Sequence, residues 1–139
     1  MASLVFNSFL DDLCKGNVNP NADTFWLMLV TDVYTPDKDT HTKRSHVTNE
    51  VVGAGYSADG KVCALTVALV TATDKETISL GTVSWPAATI TARAGVLYKR
   101  RGGLSSADEL VAYIDFGGNV TSTGGTFEFT ATSPLTLQN

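Results

Sequence analysis

Histidine and cysteine are scarce in this chain: its 139 residues hold two of each. Cys14 and Cys63 are far apart, form no C-x-x-C pair and match no Cys/His spacing of a zinc site. Both are expected to be reduced, buried thiols that pack as small hydrophobes. Basic excess is also missing. Fourteen acidic against ten basic residues leave a net charge of −4, which argues against a nucleic-acid binder. No apolar run approaches the roughly 20 residues that span a bilayer. The first residues, MASLVFNSFLDDL, lack a basic n-region and carry acids early, unlike a secretory signal. The expectation is a soluble protein made and kept in a reducing cytoplasm. There is no G-x-S-x-G and no glycine-rich phosphate loop ahead of a helix. No catalytic residue, metal or cofactor is therefore assigned.

What is present is alternation. The length fits one domain. With 43% hydrophobic and 17% charged residues, the chain can bury a core rather than stay disordered. The clearest period-two run is Thr89–Gly103 (TITARAGVLYKRRGG). On a strand template Ile90, Ala92, Ala94, Val96 and Tyr98 share one face, with Thr91, Arg93, Gly95, Leu97 and Lys99 opposite. Leu110–Phe116 follows after a short polar loop, which favours an antiparallel pair at the centre of the sheet.

The remaining elements take their places around that pair. Residues 3–15 set Phe6, Phe9, Leu10, Leu13 and Cys14 at helical spacing, with Gly16 as the stop. Thr24–Thr31 (TFWLMLVT) reads as a strand apolar on both faces, hence sandwiched. Tyr34–His46 reads as an exposed polar loop, and Val47–Tyr56 fits either a helical turn or a short strand. Lys61–Thr73 is one long strand candidate. Thr77–Trp85 is another, closed by Pro86. Gly117-Gly118-Asn119 reads as a turn, Thr126–Ala131 as a strand and Pro134–Leu137 as a terminal edge strand. Seven or eight strands with frequent turns predict an all-β, jelly-roll-like antiparallel β-sandwich with one short N-terminal α-helix.

Chemistry-bearing residues are few. His41 and His46 lie near Asp37 and Asp39, but no third metal ligand has a telling spacing, so a solvated loop is expected. Asp37-Lys38-Asp39 resembles half a calcium loop without its glycine and closing glutamate. The acid pairs Asp11-Asp12 and Asp108-Glu109 are expected at the surface. Lys99-Arg100-Arg101 is the one basic cluster. It fits an acidic protein surface, nucleic acid, or ordinary solubilising charge. Asn119-Val120-Thr121 matches a glycosylation sequon by chance. Trp26, Trp85, Tyr34, Tyr56 and Phe25 give more aromatic weight than a small core strictly needs; the core is the expected home of most of them, and binding surfaces are also enriched in such residues.

Four segments, DTFWLMLVTDVYTP (Asp23–Pro36), TITARAGVLYKR (Thr89–Arg100), LVAYIDFGG (Leu110–Gly118) and TGGTFEF (Thr123–Phe129), resemble small structural proteins of tailed bacteriophages, in particular the capsid cement or head decoration proteins. The resemblance implies a jelly-roll-like sandwich without enzymatic activity. It also implies assembly in the host bacterial cytoplasm and a place on the outer capsid surface of the virion. There the protein would bridge and stabilise major capsid subunits, as a homo-oligomer (dimer or trimer), with no membrane and no direct nucleic-acid contact. The contact candidates are Phe6, Phe9 and Leu10 on the helix, Tyr34, Lys43 and Arg44 in the polar loop, and Lys99, Arg100 and Arg101. A tail, head-fibre or completion protein is an alternative. A carbohydrate-binding sandwich using Trp26 or Trp85 as a stacking platform is another.

Overall fold

The computed structural model describes residues 2–138. Its elements are β1 (Leu4–Val5), α1 (Asn7–Lys15), β2 (Phe25–Val30), β3 (Lys61–Val62), β4 (Leu65–Val70), β5 (Lys75–Leu80), β6 (Val83–Lys99), β7 (Leu110–Phe129) and β8 (Leu135–Gln138). All pairings between them are antiparallel. A five-stranded sheet in the order β1-β7-β6-β2-β3 faces a three-stranded sheet in the order β4-β5-β8. The protein is an all-β sandwich with a short N-terminal helix. Pairs β1·β7, β2·β6 and β4·β5 nest inside one another, as in a jelly roll. The direct neighbours β6 and β7 depart from a double Greek key.

β2 shows why the large sheet is stiff. Phe25, Leu27 and Leu29 point into the core between the sheets, and Met28 and Val30 into a second core on the far face. That far face is closed by Phe6, Tyr34 and the half-buried Val47, which come from outside the sheet. A continuous apolar strand buried on both sides is what TFWLMLV predicts.

The long β6·β7 hairpin, with 17 residues in β6 and 20 in β7, is not one regular ladder. Bulges interrupt its register between Trp85 and Ala88, Ala88 and Ile90, Ala92 and Ala94, and Leu97 and Tyr98. The Ala92/Ala94 shift corrects the expected shared face. Ile90 and Ala92 join the core between the sheets, whereas Ala94, Val96 and Tyr98 join the other. From Ala92↔Val120 to Ala94↔Asp115 β6 advances two residues and β7 five, so three extra residues of β7 bulge out and the faces of β6 are exchanged beyond them. Pro86 does not close a strand. It sits inside β6 at the first bulge, where the ladder needs no N–H from it. The expected turn at Gly117-Gly118-Asn119 is likewise part of β7, with Gly117 at φ +83°.

Two predicted strands each divide between the sheets. Lys61–Thr73 breaks at Cys63-Ala64 into β3 of the large sheet and β4 of the small one. Thr77–Trp85 breaks at Gly81-Thr82 into β5 and the start of β6. The two breaks lie side by side, and the Gly81 N–H donates to the Ala64 carbonyl at 2.7 Å. The chain thus leaves and re-enters the large sheet at one place. Residues 47–56 form no helix or named strand. They are tied down by isolated bridges, Val30 to Glu50 and Ala54 to Thr89.

The helix ends as its sequence predicts. Gly16 adopts φ +76°, and the N–H groups of Gly16 and Asn17 bond the carbonyls of Leu13 and Asp12. Phe9 is buried under α1, while Leu10 and Cys14 lie on its exposed side. The expectation of two buried thiols therefore holds for Cys63 only. The stripe Phe6–Cys14 is wider than the face one short helix can hide.

Candidate interaction surfaces

The basic residues expected to reach a partner are engaged within the molecule. Tyr98 pairs with Leu110 across the hairpin, so residues 99–101 stand opposite Asp108 and Glu109. Arg101 grips Glu109 through two nitrogens at 2.7 and 2.6 Å, and its own N–H donates to Asp108 Oδ1 at 2.9 Å. Lys43 adds a longer contact to Glu109 at 3.9 Å. Arg44 reaches over from the loop after β2, donating to Asp108 at 2.8 Å and Asp59 at 2.6 Å with its guanidinium above the Tyr98 ring. Arg100 bonds Asp59 at 3.2 Å and stacks on Trp26 at 4.0 Å. Lys99 holds Asp23 at 2.9 Å.

Asp108 and Glu109 are thus not a solvated face: they are 1% and 2% exposed. Burial pushes Glu109 up, but Arg101 and Lys43 outweigh it and hold the carboxyl below the usual range. Asp23 also balances burial against the Lys99 bond and ends low. Glu50 goes the other way. Burial raises it, despite bonds from the Tyr56 hydroxyl at 2.7 Å and the Asp59 N–H at 2.8 Å. The Tyr98 hydroxyl, donating to the Asp59 carbonyl at 2.6 Å, is pushed up to about 12 by burial. Every member of the cluster has an internal partner, and the arrangement works as a clamp. It fastens the loop between β2 and β3 to the closed end of the β6·β7 hairpin.

The histidines are fastened too. His41 Nδ1 accepts from the Asp37 N–H at 3.2 Å and lies 2.9 Å from the Tyr34 hydroxyl. His46 Nδ1 accepts from the N–H groups of Thr42 and Lys43. Among the described residues no three His, Cys, Asp or Glu side chains gather as for a metal ion. Tyr34 is buried, which removes it as a contact and corrects the expected exposed start of this loop. Trp85 is fully buried and Trp26 lies beneath Arg100, so neither indole offers an open stacking face for a sugar.

Phe6 and Phe9 are likewise core residues, and of the three helix candidates only Leu10 stays accessible, at 46%. It borders a cleft of about 290 Å³ between α1 and the small sheet, lined by Val5, Phe9, Leu10, Ile78, Leu135 and Leu137. Across the small sheet Leu69, Glu76 and Leu137 stand in one row. They share the face that Val67, Ile78 and Leu135 turn to the core, yet Leu69 is 68% exposed and Leu137 39%. The small sheet therefore overhangs the core, with an apolar ledge at its β8 margin, Leu137 beside Leu10, and with Leu69 at its β4 margin on the other side of Glu76. The sequence signal for the exposed Leu69 margin was the uncharged run Cys63–Thr73 (CALTVALVTAT). No protein-family model matches the chain, no curated protein matches it, and no solved structure matches it.

Proposed function

We propose that this protein is a virion structural protein of the cement type. It binds the outer surface of a tailed-phage capsid and stabilises the shell by bridging major capsid subunits. The observation that carries the reading is the apolar ledge, Leu10 with Leu137 and the cleft between them, mounted on a sheet whose strand β2 is buried on both faces. Rigid support lowers the ordering cost of binding, and a monomeric soluble domain gains nothing from an overhanging apolar face. The phage-like segments Asp23–Pro36 and Thr89–Arg100 supply β2 and most of β6, the strands at the middle of that support.

Binding only the mature lattice would stabilise it by mass action, and many symmetric copies would multiply a modest contact. The test is co-sedimentation with mature capsids that lack the protein. The wild type pellets at micromolar concentration, and Leu10→Glu pellets at least about tenfold less, since it places a charge in the contact. A wild type that stays in the supernatant with mature shells would end this reading.

A further inference from the structure

The geometry points to β4 as a self-association edge: two copies of the chain pair their β4 strands antiparallel about a two-fold axis, joining the small sheets into one of six strands. The inference stands apart from the capsid reading and uses the opposite margin of the small sheet from the α1 cleft.

Edge strands invite pairing, and proteins blunt them with charge, proline, bulges or brevity. The edges of the large sheet are blunted by brevity, β1 and β3 having two residues each. The other edge of the small sheet, β8, has four residues and follows Pro134. β4 has none of these devices. It runs for six residues, Leu65–Val70, in unbroken register with β5 and with no charge.

Its free backbone groups can be assigned. Ala64 and Gly81 continue the β4·β5 register, and the bond from the Gly81 N–H marks theirs as a bonded pair. Bonded and unbonded pairs alternate in an antiparallel ladder. Thr66, Ala68 and Val70 therefore bond β5, whereas Leu65, Val67 and Leu69 turn N–H and C=O to the open edge. No other described residue bonds those groups. A buried backbone polar group needs a partner, and an exposed row of them is a template.

The occupant that fits is a second copy. Centring the axis on Val67 sets it against its own equivalent and Leu65 against Leu69 of the other chain. All three outward residues of each copy then exchange both bonds. Leu69, exposed in one chain, meets Leu65, which packs on the core. No like charges oppose each other, since Cys63–Thr73 is uncharged. The flanking charges, Lys61 before it and Asp74 after it, are opposite in sign, and antiparallel pairing brings each toward the other's end.

The test is the mass of the full chain in solution, by sedimentation velocity across micromolar concentrations. The wild type is a dimer. Leu69→Lys raises the dissociation constant by about tenfold or more, because two symmetry-related Leu65·Leu69 pairs are lost. Val67→Pro removes an N–H that β5 does not use, so it leaves the monomer folded by circular dichroism and abolishes the dimer. Val52→Lys, at another exposed valine, leaves the dimer intact. Residue-resolved hydrogen exchange shows the amides of Leu65, Val67 and Leu69 slowing as concentration rises. A wild type that is monomeric throughout, or a dimer that Leu69→Lys does not weaken, overturns the proposal. So does a monomer whose capsid binding is lost in Leu69→Lys, because a capsid strand would then occupy the edge. Should Val67→Pro not fold, Leu69→Lys and the exchange data decide.

Discussion

Removing Arg44 is the most informative perturbation of the clamp. Its guanidinium is largely buried, and Asp108, 1% exposed, receives its Nε at 2.8 Å. Arg44→Ala leaves that carboxylate with the Arg101 N–H at 2.9 Å as its remaining hydrogen-bond donor, and with the charge of Arg101, already committed to Glu109, as compensation. Asp59 retains Arg100 at 3.2 Å, so most of the loss falls on Asp108. Breaking a buried pair by deleting one member costs about 3–5 kcal/mol. In a domain of this size that lowers Tm by roughly 10–15 °C. Urea unfolding followed by circular dichroism at neutral pH measures the cost. The double variant Arg44→Met, Asp108→Asn separates pairing from packing. Asn keeps an oxygen for the Arg101 N–H, and Met keeps apolar contact with Tyr98. Its cost should fall short of the summed single variants by about 1–3 kcal/mol, the coupling of interacting sites. A loss below about 1 kcal/mol for Arg44→Ala, the scale of an exposed ion pair, would refute the clamp.

The acid response follows from carboxylates of opposite shift. Asp23, Glu109 and Asp115 sit below their ordinary values; Asp23 and Glu109 are lowered against burial, and Asp115 chiefly by the Arg93 bond. Their contribution is present above the usual carboxylate range and lost as pH falls through it and below. Glu50 is raised, so it takes up a proton earlier and favours the fold as pH drops toward that range. The urea midpoint should therefore hold or rise slightly in mild acid and fall steeply below about pH 4. Glu50→Gln should remove the mild-acid limb, and Glu109→Gln should shallow the steep one. Gly60→Ala should prevent folding, read as insoluble or unfolded protein. Gly60 has φ +84°, and a Cβ there would sit 1.9 Å from the Leu27 carbonyl oxygen. Gly102→Ala, with the same φ and open space around it, should cost only about 1–2 kcal/mol.

Strand content, the doubly buried β2 and the Gly16 stop were legible because each rests on local spacing. The phase of a long strand was not, because a bulge needs only a few extra residues on the partner strand and leaves no mark in composition. The alternation through Ala92 and Ala94 looks continuous on paper and belongs to two cores in space. The sheet changes at Cys63-Ala64 and Gly81-Thr82 were hidden for a similar reason: β-formers continue on both sides of each break. The basic cluster was misjudged by reading Lys99–Arg101 without its hairpin. Once Leu110 is set against Tyr98, Asp108 and Glu109 fall beside those cations, and hairpin arithmetic could have paired them. Arg44 could not have been found that way. Its partners Asp59 and Asp108 are 15 and 64 residues away and are joined only by the path of a loop.

Where this molecule can adhere is decided by what the large sheet has left over. Both faces of β2 and of the adjoining half of the hairpin are covered, the edges of the large sheet are two residues long, and its nearby cations are paired with its own carboxylates. Forcing those cations onto a partner would require breaking buried pairs, at a cost larger than a rim contact returns. The small sheet is under no such constraint. One of its rows overhangs the core, and one of its edges carries six uncharged residues with unused backbone groups. Association at that sheet gains apolar burial and ladder bonds without separating any ion pair. The two surfaces lie on opposite margins of three strands, β8 beside α1 and β4 away from it, so pairing at one leaves the other free. A copy joined through β4 would present two ledges, and two ledges on one rigid body are the minimum required to bridge neighbouring subunits of a shell.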